Sequence, residues 1–173
     1  MAGLRELIAA ALLALAAAAA VAQAAPCTLV FGQGRNLPAR DGPDWDGLNA
    51  RFNAGVTGTL EAAGRRVYAM TASSEQVDPE AAGLALLQQA DRLGCGTLVE
   101  TAVFDDGQDT LVLRLRVYPL LPQIGDGGAI VGLRIGTPLF VTQRDLGLAA
   151  LQRLKPEPLA QQMAAEYLQH DRR

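Results

Sequence analysis

"GCGTLVETAVFDDGQDTLVLRLRVY", residues 94–118, consists of two apolar, β-branched runs around a cluster of turn residues. Thr97 to Phe104 and Thr110 to Tyr118 read as strands, and the "DDGQ" between them is a hairpin signal. The length of the connection decides which side chains share a face, because side chains alternate along a strand with period two. Asp105 and Asp106 fit a type I turn and Gly107 the left-handed bulge position that follows it. That three-residue loop places Leu111, Leu113 and Leu115 on the face of Thr97, Val99, Thr101 and Val103. Glu100 then lies on the other face with Val112 and Arg114, near Arg116. A two-residue loop would turn Glu100 in among the leucines, where an unpaired carboxylate is costly. The expectation is the bulged loop, with Glu100 paired to Arg114 or Arg116.

Upstream, "SSEQVDPEAAGLALLQQADRLG" (73–94) reads as a helix with Asp78 as N-cap and Pro79 at its first position, where the missing N–H costs nothing. Leu84, Leu87, Ala90 and Leu93 form its expected buried stripe, and Gly94 closes it. "RRVYAM" (65–70) precedes it as a strand. Before that, Asp44 caps a helix whose apolar positions are Trp45, Leu48, Phe52, Val56, Leu60 and Ala63, ending at Gly64. Gly47, Gly55 and Gly58 inside this helix are expected to let it approach a neighbour closely. Cys27 to Phe31, "CTLVF", is a short buried strand stopped by Gly32. Downstream come a Pro/Gly-rich loop, "PLLPQIGDGG", a fifth strand, "AIVGLRI", an irregular stretch from Gly136 to Asp145, and a last helix from near Pro158 to about His170.

Strand, helix, strand, helix, strand is the pattern of parallel pairing through right-handed crossovers. The expected architecture is a single α/β domain. Its mixed five-stranded sheet has order about 2-1-3-4-5, connectivity β-α-β-α-β-β-β-α and helices on both faces. Strands one and three are then parallel neighbours. Cys27 begins the first and Cys95 immediately precedes the third, so the two sulfurs come within bridging range. Free buried thiols or a reactive cysteine are the alternatives.

The compartment favours the disulfide. Met1 to Glu6 is a short polar start, Leu7 to Val21 is uninterrupted Ala, Leu, Ile and Val, and Ala22-Gln23-Ala24 is a small-x-small cleavage pattern. Residues 1–24 are therefore read as a cleavable signal peptide and 25–173 as the domain. The apolar run is short for a membrane span, which needs about 20 residues, so no stable membrane anchor is expected after cleavage. Pro26 stands where a lipoprotein signal needs a small residue, which argues against lipidation of Cys27. An exported chain with two cysteines usually pairs them. The expected location is periplasmic or secreted.

The 15 basic and 18 acidic residues are spread out, which excludes the clustered basic surface that nucleic acid requires. One histidine, His170, lies three residues from the end, and the two serines, Ser73 and Ser74, lead into a helix. That inventory supplies no hydrolase triad and no His/Cys zinc site. Asp105, Asp106 and Asp109 are what the turn itself requires and lack a calcium-loop spacing. No catalytic residue, metal or cofactor is expected. Two surfaces remain as candidates. The loop after strand one, residues 32–44, leaves the point where strand order reverses, and Gln33, Arg35, Asn36 and Arg40 could hold a carboxylate or phosphate there. The polar face of the hairpin, with Glu100, Arg114, Arg116 and Tyr118, is a candidate docking face.

At "LEAAGRRVYAM" (60–70) and "ADRLGCGTLVETAVF…TLVLRLRVY" (90–118) the chain resembles the TolB amino-terminal-domain-like group, which includes the envelope proteins CsgG and LpoB. The shared pattern is a helix ending in Gly before a strand, then a second such helix before a strand that opens a hairpin. The motif concerns folding and carries no catalytic residue. The chain departs from the group in lacking a propeller, a lipid-anchor cysteine and a long membrane hairpin. The resemblance implies a non-catalytic, exported interaction or accessory domain of the cell envelope, with another envelope protein as partner. The alternative is a small-molecule or anion-binding protein using loop 32–44.

Overall fold

A computed structural model describes residues 27–36, 42–73 and 78–172; the signal segment, Arg40 and Asp41 lie outside them. The elements run β1 (Cys27–Gln33), α1 (Trp45–Ala62), β2 (Val67–Ala72), α2 (Pro79–Leu93), β3 (Cys95–Asp105), β4 (Thr110–Ile124), β5 (Ile130–Ile135), β6 (Phe140–Gly147), a 3₁₀ turn (Leu148–Arg153) and α3 (Pro156–Asp171). The sheet order is β2-β1-β3-β4-β5, as the pattern of elements implies, with β6 also paired to β4. β1 runs parallel to β2 and β3, and β3 runs antiparallel to β4.

The sixth strand corrects the reading of Gly136 to Asp145 as irregular. β4 continues through Pro119 and Pro122 to Ile124, and β5 and β6 both lie antiparallel along its outer side. Leu120 pairs with Ile135 and Val117 with Phe140, so two extra residues separate the two ladders. Together they form one long interrupted hairpin, turning at Gly125–Ala129 rather than across 119–128. Prolines are tolerated where a strand edge needs no N–H.

The β3–β4 register has the expected faces by a different turn. Val103 lies opposite Leu113, Thr101 opposite Leu115 and Glu100 opposite Arg116. Asp106 N–H bonds Thr110 C=O at 3.1 Å, so the loop is Gly107–Asp109 rather than Asp105–Gly107. Gly107 (φ 80°) and Asp109 (φ 58°) both take the left-handed conformation there. Both loops have an odd number of residues, so Glu100 stays off the leucine face.

α1 and α3 cover one face of the sheet. Phe52, Val56 and Leu60 of α1, and Ala160, Met163 and Tyr167 of α3, pack with Val30, Val99, Val103, Leu113, Leu115 and Val117. α2 covers part of the other face through Leu86 and Ala90, against Leu29, Leu98 and Leu120. Leu84, expected in that stripe, is 58% exposed. With leucines at 84, 86 and 87, two helical faces compete, and packing selects Leu86. Asp44 and Asp78 cap their helices by accepting N–H bonds from Gly47 and from Glu80 and Ala81. The last helix starts at Pro156, because Pro158 still falls in the first turn, where N–H groups have no intrahelical partner.

The glycines of α1 divide. A Cβ on Gly55 would lie 2.8 Å from Ala160 Cβ and 3.2 Å from the Glu157 carbonyl, so α3 approaches there. A Cβ on Gly58 would meet nothing within 4 Å. Gly58→Ala is therefore expected to stabilise by up to about 1 kcal/mol through helix propensity. Gly55→Ala is expected to destabilise by about 1–2 kcal/mol through overpacking. Urea denaturation of the two variants checks the opposite signs.

Candidate functional site: an open arginine face

β3 is longer than its pairing with β1, which ends where Gly32 meets Thr101. The next backbone groups on that edge of β3 would be orphaned, and buried orphans are costly. Two asparagine side chains take the place of the missing strand. The Asn49 amide donates to Val103 C=O at 2.8 Å and accepts from Val103 N–H at 2.7 Å. The Asn36 amide does the same at Asp105, at 3.3 and 2.9 Å. A third amide, Asn53, donates to Thr101 Oγ1 at 3.2 Å. At the carboxyl ends of β1 and β3, where the sequence suggests a ligand crevice, Asn49 and Asn36 bond the β3 backbone.

The bond at Asn36 fixes the preceding residue over the sheet. Arg35 turns onto the face away from α1, with its guanidinium carbon 5.0 Å from the Phe104 ring centroid and Nη2 3.5 Å from Glu100 Oε1. From β4, Arg114 reaches the same ring at 5.1 Å. Arg116 Nε lies 3.4 Å from Glu100 Oε2, and the Tyr118 hydroxyl donates to that oxygen at 3.2 Å. The structure therefore brings Arg35 of the loop together with Glu100, Arg114, Arg116 and Tyr118 of the hairpin. Of the loop candidates, Arg35 joins the hairpin face, Gln33 lines the adjoining cleft, Asn36 bonds the backbone and Arg40 lies outside the described residues.

Charge on this face is unbalanced. Arg35, Arg114 and Arg116 lie around the carboxylate of Glu100, whose side chain is 15% exposed, is ion-paired with Arg35 and Arg116 and accepts from the Tyr118 hydroxyl. Asp145 of β6, on the same face, accepts instead from Gln143. Arg114 Nε and Nη2 are screened from solvent and have no hydrogen-bond partner among the described residues. Burial, and next the charges of Arg35 and Arg116, push the Arg114 pKa below its ordinary value. Tyr118 is pushed up, by burial and then by Glu100, so it remains a hydrogen-bond donor.

On the other face the corresponding charge is matched: Arg144 of β6 bonds Glu166 of α3, which also accepts from Thr142 at 3.0 Å. Among the described residues no helix performs this role over Arg114. Beside the arginines, where α2 stops short, lies a cleft of about 360 Å³ lined by the apolar Phe31, Leu86, Leu98 and Ile135 and by the polar Gln33, Glu100 and Tyr118. Val141 of β6 is 54% exposed on the same face. Sequence reasoning missed Phe104 as the platform and Asn36 and Asn49 as edge partners. The phenylalanine could have been found from its even spacing with Glu100.

No protein-family model matches the chain. No curated protein matches it. Among solved structures it is similar to a PelC dodecamer from Paraburkholderia phytofirmans, at 16% identity and a TM-score of 0.38, over 84% of this chain and 87% of that one. A likeness at that level gives no information on function.

Proposed function

We propose that this chain is a non-catalytic binding domain of an exported cell-envelope accessory protein, and that it docks a partner protein on the open face of β3, β4 and β6. The observation that carries the reading is Arg114: its Nε and Nη2 are screened from solvent and without a hydrogen-bond partner among the described residues, on the part of the sheet face that α2 leaves uncovered. A charge in that state costs stability in the free domain, so its presence is accounted for by a group that arrives from outside. The Cys27–Cys95 disulfide supports an oxidising compartment. The resemblance of residues 60–70 and 90–118 to the TolB amino-terminal-domain-like group supports the envelope.

The test is site-specific photocrosslinking in envelope extracts. A benzophenone amino acid replacing Gln143, on the open face, is expected to give a discrete adduct that Arg114→Glu abolishes. The same probe replacing Glu61, exposed on α1, is expected to give none. Adducts from both positions, or from neither, overturn the reading.

A further inference from the structure

The docking reading leaves open what chemistry the face recognises, and the geometry of the arginines narrows it. Nε and Nη2 are the two nitrogens on one edge of a guanidinium, the edge that presents parallel N–H groups to a pair of oxygens. Both are without a partner on Arg114 among the described residues. The Arg114 guanidinium lies over the Phe104 ring, 5.1 Å from its centroid. Next to it, the face already binds one carboxylate: Glu100 is held by Arg35, Arg116 and the Tyr118 hydroxyl. The Arg35 contact is long, at 3.5 Å, and exposed, so Arg35 can turn to a second anion at little cost.

We infer that Arg114, assisted by Arg35, binds a side-chain carboxylate from an acidic segment of the partner protein, with an apolar neighbour of that residue entering the adjoining cleft. The inference rests on the docking reading. Charge complementarity supplies the acid: Arg35 and Arg116 are paired to Glu100, Asp145 accepts from Gln143, and Arg114 beside them has no carboxylate partner among the described residues. The cleft supplies the rest: Phe31, Leu86, Leu98 and Ile135 in its lining offer an apolar side chain a contact that a free inorganic anion cannot use. An acidic peptide satisfies both halves, whereas phosphate or an acidic polysaccharide satisfies the first alone. Arg114 is partly exposed and has a long flexible stem, so its screened edge can rotate outward without backbone movement.

The probe is the peptide acetyl-Glu-Phe-Glu-amide, titrated into the oxidised domain at low ionic strength, with the arginine Nε–Hε resonances as readout. The Arg114 resonance is expected to shift and saturate. Arg114→Gln is expected to weaken binding about tenfold or more, and Arg51→Gln, on the opposite side of the sheet, to leave it unchanged. If Arg114→Gln proves misfolded by circular dichroism, Arg114→Lys retains the charge, loses the parallel N–H pair and is expected to weaken binding as well. An Arg114 resonance that does not move overturns the inference. So does equal binding of acetyl-Gln-Phe-Gln-amide, or of inorganic phosphate or oligogalacturonate at the peptide's affinity. Crosslinking separates the two levels. An adduct at Gln143 with a silent peptide leaves docking intact and removes the carboxylate; loss of the adduct removes docking itself.

Discussion

The double replacement Cys27→Ala with Cys95→Ala is expected to lower the unfolding free energy by about 4 kcal/mol, the chain-entropy value for a loop of this length. The bridge joins residues 68 apart and encloses α1, β2 and α2, so its removal frees the ends of nearly half the described chain. The two cysteines begin adjacent parallel strands, with Cα atoms 4.3 Å apart. Their side chains are buried with Leu29, Leu86 and Ala90, so alanine also removes packed sulfur from that cluster. Urea denaturation of the oxidised wild type and the double variant measures the difference. A change below about 1 kcal/mol would mean that the sheet holds the ends of β1 and β3 together without a covalent link.

Asn49→Leu is expected to cost about 3 kcal/mol, because it leaves both backbone groups of Val103 buried and without partners. Asn49 is 3% exposed, so water cannot take its place. Asn49→Asp keeps the acceptor for Val103 N–H, sets a second acceptor against Val103 C=O and buries a charge. It is therefore expected to be no milder than leucine. Asn36→Ala, at the exposed end of the same edge, is expected to cost about 1 kcal/mol. Equal effects of the Asn49 and Asn36 substitutions would contradict the account of a side-chain surrogate for the missing strand.

These residues also show where sequence reasoning stops. The order β2-β1-β3-β4-β5 was legible because β1 and β2 are each followed by a capped amphipathic helix that leads to the next strand, with Asp44, Asp78, Gly64 and Gly94 in their places. The face of Glu100 was legible because a carboxylate among leucines is too costly. The turn at Gly107–Asp109 was not, since Asp105, Asp106 and Asp109 all suit a loop and only the facing strands select the register. β6 was hidden because Gly136, Pro138 and a polar run carry no alternation of their own; pairing with β4 makes the strand. Asn49 and Asn36 are unremarkable helix and loop residues until the end of β1 leaves the edge of β3 bare. Arg35 and Arg114, 79 positions apart, meet on Phe104 only through the sheet.

The measurement that bears most directly on the open face is the thermal stability of Arg114→Met, read alongside crosslinking from position 143. A guanidinium kept for a partner is a burden on the free domain, so an apolar side chain of similar length should raise the melting temperature while the adduct disappears. A lower melting temperature with the adduct intact would show that Arg114 serves the fold and that the partner lies elsewhere.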